Sequence, residues 1–175
     1  ARRTGRTFGV LVVDLEAQYK LTIDHIQGCL EQHADVITPY WVALPLALRN
    51  AVSVYQPKWE CWDPDEESLW VRRPPDQAIT DPSYFPFFER GMEFEEFTPR
   101  FAGWYSGGEP TACLVATRAD ESLNRFRSIA NRKKQTFGGR VWTTRLWDTE
   151  AYNCYPIYDW RTEDIWVYHA RTGAR

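Results

Sequence analysis

The sequence predicts an α/β fold built on a mainly parallel sheet flanked by helices. Three observations carry this reading. The run Phe8-Gly-Val-Leu-Val-Val-Asp14 is continuously apolar, as in a strand covered on both faces, and does not alternate as a half-solvated strand does. Strand-like segments alternate along the chain with segments of helical character, an order that calls for right-handed crossovers between parallel strands. The chain has 175 residues, 43% of them apolar, enough to bury a core of its own.

The first strand is 8–14. Residues 16–33 read as a helix, with Leu21, Ile23, Ile26, Cys29 and Leu30 as an approximate apolar stripe. A second strand fits 36–44 and is stopped by Pro45. The third is 112–116. A helix over 120–130 follows it, acids first and arginines later, the order the helix dipole favours. A fourth strand is expected at 155–158, short because of Pro156. Thr162 is expected to cap a last helix, with Glu163 and Asp164 in its first turn. The chain reads as one partial domain, 1–175, with an insertion at about 55–110. The stretch 55–105 holds thirteen of the 27 aromatic residues and reads as a mini-core, since linkers are poor in Trp and Phe. It serves either as a lid over a site or as a surface for a partner.

Charge is segregated. Residues 60–100 hold eleven acids and four arginines; residues 118–145 hold eight basic residues and two acids. The net charge of −3 argues against direct nucleic-acid binding by the chain as a whole. No apolar stretch reaches the length of a membrane span, and no secretory leader is evident. Cys29, Cys61, Cys113 and Cys154 are widely spaced, so neither zinc nor an iron–sulfur cluster is expected, and free thiols suit a cytoplasmic protein.

Ligands of parallel sheets bind beyond the carboxyl ends of the strands. Asp14 ends the first strand, Arg118, Glu121, Ser122 and Arg125 follow the third, and Asp159 with Trp160 follows the fourth. Each has a plainer reading: Asp14 as a helix cap, the arginines as surface ion pairs with Asp120 and Glu121, Asp159 as a turn acceptor. Tyr105-Ser-Gly-Gly-Glu-Pro-Thr111 reads as a turn, because the glycines precede a strand and no lysine accompanies them.

The segment Leu114-Val-Ala-Thr-Arg-Ala-Asp-Glu-Ser-Leu-Asn-Arg125 resembles the G-x-R-x-x-E/Q-S-x-x-R element of the phosphoadenosine phosphosulfate (PAPS) reductase family. Tyr155-Pro-Ile-Tyr-Asp-Trp-Arg-Thr-Glu-Asp-Ile-Trp166 resembles its P-L-x-D-W element, which a W follows six residues on. Tyr40-Trp-Val-Ala-Leu-Pro-Leu, Trp59-Glu-Cys-Trp-Asp-Pro-Asp and Gly91-Met-Glu-Phe-Glu-Glu-Phe are similar to the subgroup typified by immunoglobulin-binding regulator A. The resemblance implies a Rossmann-like sheet of the adenine-nucleotide α-hydrolase kind. It implies ATP or PAPS as ligand, with Mg²⁺ as an accompanying ion. Arg118 and Arg125 would face phosphate or sulfate, with Glu121 and Ser122 in the same element. Asp14 would lie beside the nucleotide, and Asp159 and Trp160 would shape the pocket. In this subgroup the expected protein partner is ParB-like. Two features depart from the family. Its Ser-Gly-Gly-Lys-Asp-Ser phosphate loop, with the strand before it, has no copy in the 175 residues, and neither does its nucleophilic Glu-Cys-Gly tail. Thiol-dependent reduction by this chain alone is therefore not expected; a nucleotide-cleaving or nucleotide-transferring parent, or a regulatory module, fits better.

Overall fold

The structure is a computed structural model and describes residues 1–50 and 52–173. The fold is mixed α/β, with small sheets and short helices, and the chain divides into two compact units, Ala1–Phe97 and Thr98–Arg175.

In the first unit, β1 (Phe8–Val13) pairs in parallel with β2 (Ile37–Val42), with Phe8 opposite Ile37 and Val13 opposite Val42. The crossover is α1 (Lys20–Gln32). It starts four residues later than the apolar pattern suggested. The Asp14 carboxylate accepts the Glu16 N–H at 3.0 Å, and Glu16 has φ +66°, a conformation no helix continues. No side chain of α1 is buried, and none caps its start.

After β2 the chain enters β3 (Leu46–Arg49), which pairs antiparallel with β4 (Lys58–Cys61). The hairpin was not anticipated: its first strand begins directly after Pro45, which the sequence marks only as a stop. Two short 3₁₀ helices follow, Pro64–Leu69 and Pro82–Tyr84. Each begins with an Asp-Pro pair whose carboxylate accepts a backbone N–H two residues on, at 2.8 Å. Trp41, Val42, Leu44, Leu46, Cys61 and Phe97 form the buried centre of this unit. Phe85 and Phe87 meet Phe97 at 5.5 Å, so the aromatic stretch does build a core.

The helix α2 (Phe94–Ser106) begins in the first unit and ends in the second. In the second unit, β5 (Thr111–Leu114) pairs in parallel with β7 (Ala151–Cys154), and β6 (Thr143–Arg145) pairs antiparallel with β7, giving the order β5-β7-β6. The expected strand at 155–158 is displaced: the strand is 151–154. Pro156 has no N–H to give, and the Tyr158 and Trp160 N–H groups bond back to Tyr155 and Ile157, so 155–160 is a turn. The helix expected over 120–130 is split. Ala119–Glu121 is one 3₁₀ turn, and α3 (Leu123–Ala130) begins after Ser122, whose extended backbone (φ −169°) and side chain cap it. The last helix is α4 (Thr162–Thr172): Thr162, expected as its cap, is its first helical residue, and Arg161 holds the cap position, its N–H donating to the Asp164 carboxylate at 2.8 Å.

Candidate functional site

Two strand-end corners carry the residues singled out in the sequence. Asp14 belongs to the first unit; Arg118, Glu121, Ser122, Arg125, Asp159 and Trp160 belong to the second.

At the first corner, Asp14 leaves the carboxyl end of β1 completely buried. Its carboxylate accepts Trp41 Nε1–H at 2.9 Å, the Glu16 N–H, and a guanidinium N–H of Arg72. Its carbonyl accepts Trp62 Nε1–H at 2.6 Å. Glu16, also buried, accepts the backbone N–H groups of Trp62 (2.8 Å) and Val71 (2.9 Å). Arg72 packs over the Trp62 ring, 5.1 Å from its centroid, and Trp70 meets Trp62 edge-on at 5.3 Å. Asp14 is therefore not a helix cap. Both acids bind the segment 62–72 to the end of β1, and every partner except Glu16 is at least 27 residues away. Sequence reading missed Glu16, Trp41, Trp62 and Arg72. The one available signal was the pairing of a strand-end acid with an isolated Trp-and-Arg-rich loop. Asp14, which the resemblance places beside the nucleotide, is here enclosed by four partners.

The second corner lies beyond the carboxyl ends of two parallel neighbours, β5 and β7. The Ala119 N–H donates to the Tyr158 carbonyl at 2.8 Å, so the loop carrying Arg118 and the turn carrying Asp159 and Trp160 lie side by side. Arg118 is mostly buried. Its Nε donates to Glu121 Oε1 at 3.3 Å, while its Nη1 is buried with no hydrogen-bond partner among the described residues. A buried guanidinium nitrogen without an acceptor is costly and calls for one. Arg125, more exposed, stands 4.0 Å from the other Glu121 oxygen. Glu121 thus sits between the two arginines. Ser122 accepts the Arg125 N–H at 3.2 Å and is spent on capping. Asp159 is exposed; Trp160 is half-buried and packs against Tyr168 of α4 at 5.7 Å.

Next to this corner is a cavity of about 510 Å³ whose wall includes Ala119, Tyr158, Phe126, Ile129, Arg132 and Lys134. Lys134 Nζ donates to the Ile129 carbonyl at 2.7 Å, closing the end of α3, and burial pushes its ammonium below its usual pKa. Among the described residues no group of three His, Cys, Asp or Glu is placed to hold a metal ion, and all four cysteines are free. No helix among them is long and apolar enough to cross a membrane.

No family model matches the chain, and no solved structure matches it. Among curated proteins it is 48% identical, over 172 residues, to a protein of Escherichia coli (strain K12) described as uncharacterized protein YbdN. That match covers 97% of this chain and 42% of the relative, so the chain spans less than half the length of the protein it resembles.

Proposed function

We propose that the second unit holds the phosphate or sulfate end of an adenine nucleotide, ATP or PAPS, at the Arg118 corner, within a Rossmann-like domain of the PAPS reductase type. The single observation behind this is the bond between Ala119 and Tyr158. It sets the two motif-bearing loops together outside the carboxyl ends of adjacent parallel strands, where ligands of such sheets bind. The free Nη1 of Arg118 supplies a donor that lacks an acceptor, and Arg125 adds a second cation beside the same loop. Glu121 is then a positioning residue: it orients both arginines and lowers the local positive charge. Asp14 has a structural role in this reading, because its oxygens are already engaged. The chemistry that follows binding, cleavage or transfer at the phosphates, belongs to the longer protein.

The test is calorimetric titration of ATP with Mg²⁺, and of PAPS, into this chain and into a version extended upstream. Saturable binding to the extended version is expected. Arg118→Gln should weaken it about 10- to 100-fold, the value of a hydrogen bond to a charged group. Binding by neither form, or binding indifferent to Arg118→Gln, would overturn the reading.

A further inference from the structure

Two cavities in the second unit share one wall, the segment 136–143 between α3 and β6. Thr136, Gly139 and Val141 face the cavity of about 510 Å³. Phe137, Arg140 and Trp142 face a second cavity of about 350 Å³. The segment is therefore a ridge, and Gly138 and Gly139 turn it at φ +54° and +75°. Each cavity pairs rings with a cation: Phe126, Tyr158 and Arg132 on one side, Phe137, Tyr152 and Arg140 on the other. Phe126 and Phe137 are each about half exposed, at 52% and 50%.

The charges along this ridge are not neutralised. Arg118 and Arg125 face Glu121, Arg145 pairs with Glu150, and Lys134 is held by the α3 carbonyls. Arg127, Arg132, Lys133 and Arg140 have no carboxylate partner among the described residues. The net negative charge of the chain resides elsewhere. The second unit carries twelve Lys and Arg against eight Asp and Glu, the first unit nine against sixteen.

We infer that this ridge binds single-stranded nucleic acid, a base lying against the rings on either side and the backbone phosphates on Arg132, Lys133 and Arg140. A mononucleotide has one base and would leave one cavity empty. An acidic peptide would use the cations and waste the rings. A duplex keeps its base faces stacked inside, away from Phe126 and Phe137. Rings flanking a cationic track are what an unpaired strand exploits, by stacking and by phosphate contact. The larger cavity adjoins the Arg118 corner, because Ala119 and Tyr158 line it, but the inference does not depend on nucleotide binding there.

The probe is a fluorescein-labelled 15-mer of thymidylate, read by polarisation against its duplex with the complementary strand. Binding to the single strand is expected. With three phosphates engaged, affinity should fall about eighteenfold between 50 and 200 mM salt. Phe126→Ala and Phe137→Ala should each weaken it about 5- to 100-fold. Both rings are about half exposed, and Phe137 also meets Tyr152 edge-on at 5.3 Å, so the circular dichroism should be unchanged while Phe137→Ala lowers the Tm modestly. The triple charge reversal R132E/K133E/R140E, made entirely at exposed or half-exposed positions, should abolish binding at 200 mM salt. No binding at 50 mM salt, equal affinity for the duplex, or indifference to both Phe substitutions would each overturn the inference. Because this assay contains no ATP, its failure leaves the nucleotide reading of the Arg118 corner to be decided by its own titration.

Discussion

Asp14 shows how burial fixes the role of a residue. A carboxylate with no solvent contact must be paid back in hydrogen bonds, and here Trp41, Glu16 and Arg72 supply them. Removing one member leaves the others unsatisfied. Asp14→Ala and Arg72→Ala should each destabilise the chain by about 3–5 kcal/mol, measured by urea unfolding, and the double variant should cost less than the sum. A sum that is strictly additive would mean the two groups do not interact. Cys61 is a second case. It is fully buried, its Sγ lies 3.6 Å from the Leu44 carbonyl, and burial pushes its thiol from its ordinary 9.0 up to about 12. Above pH 9 the unfolded thiol ionises while the folded one keeps its proton. The folded state then binds more protons, so stability present below pH 9 is lost as pH rises toward 12. Iodoacetamide at pH 8 should leave Cys61 unmodified in the folded chain and modify it in denaturant, as read by peptide mass spectrometry.

At the scale of elements, α3 and α1 make a useful contrast. The eight residues of α3 depend on the Ser122 cap, which satisfies the Arg125 N–H, and on Lys134 at the other end. Ser122→Ala should cost about 0.5–2 kcal/mol in thermal or urea unfolding. It should also loosen the placement of Arg125, which leaves a larger mark on nucleotide affinity than Ser122→Asp, a replacement cap. By contrast α1 has thirteen residues, no side-chain cap and no buried residue; Leu21 is 82% exposed. A helix of that length is marginal on propensity alone. Its amides should exchange with deuterium well before those of Tyr40–Val42 in β2; equal protection would show that α1 is held by more than the contacts described here.

The molecule as a whole distributes its core unevenly. Among the described residues, eleven of the seventeen buried apolar side chains lie in the first unit and six in the second. Unfolding free energy follows buried apolar area. Amide exchange in β5 and β7 should therefore report openings of lower free energy than exchange in β2 and β3, and the gap should persist at low denaturant. A single exchange free energy across both units would show one cooperative body instead. Both proposed sites lie in the second unit, which holds fewer of the buried apolar side chains and the excess of basic residues.

Much of this was legible in the chain itself. The continuous apolarity of 8–13 marked a strand with a parallel partner, and β1 and β2 pair that way; the expected cover on both faces is not met, since no residue of β1 is buried and Phe8 is exposed at the edge of a two-stranded sheet. The Thr162 neighbourhood marked a helix start within one residue, because capping chemistry is local, whereas the helix expected from 120 begins only at Leu123, after a separate 3₁₀ turn. That Arg118 follows a strand was also legible; its adjacency to Asp159 came only with the pairing of β5 and β7, since the fourth strand lies at 151–154 and not at 155–158. Tertiary structure alone decided the rest. Whether Asp14 met a ligand or a protein group depended on Trp41, Trp62 and Arg72, between 27 and 58 residues away. Whether the last strand was 151–154 or 155–158 depended on which N–H groups had a ladder to join. The two cavities about the 136–143 ridge left no periodic trace, since loop residues that alternate between faces follow the packing around them. Local sequence sets propensity and caps; the pairing of distant polar groups is settled only when burial forces each one to find a partner.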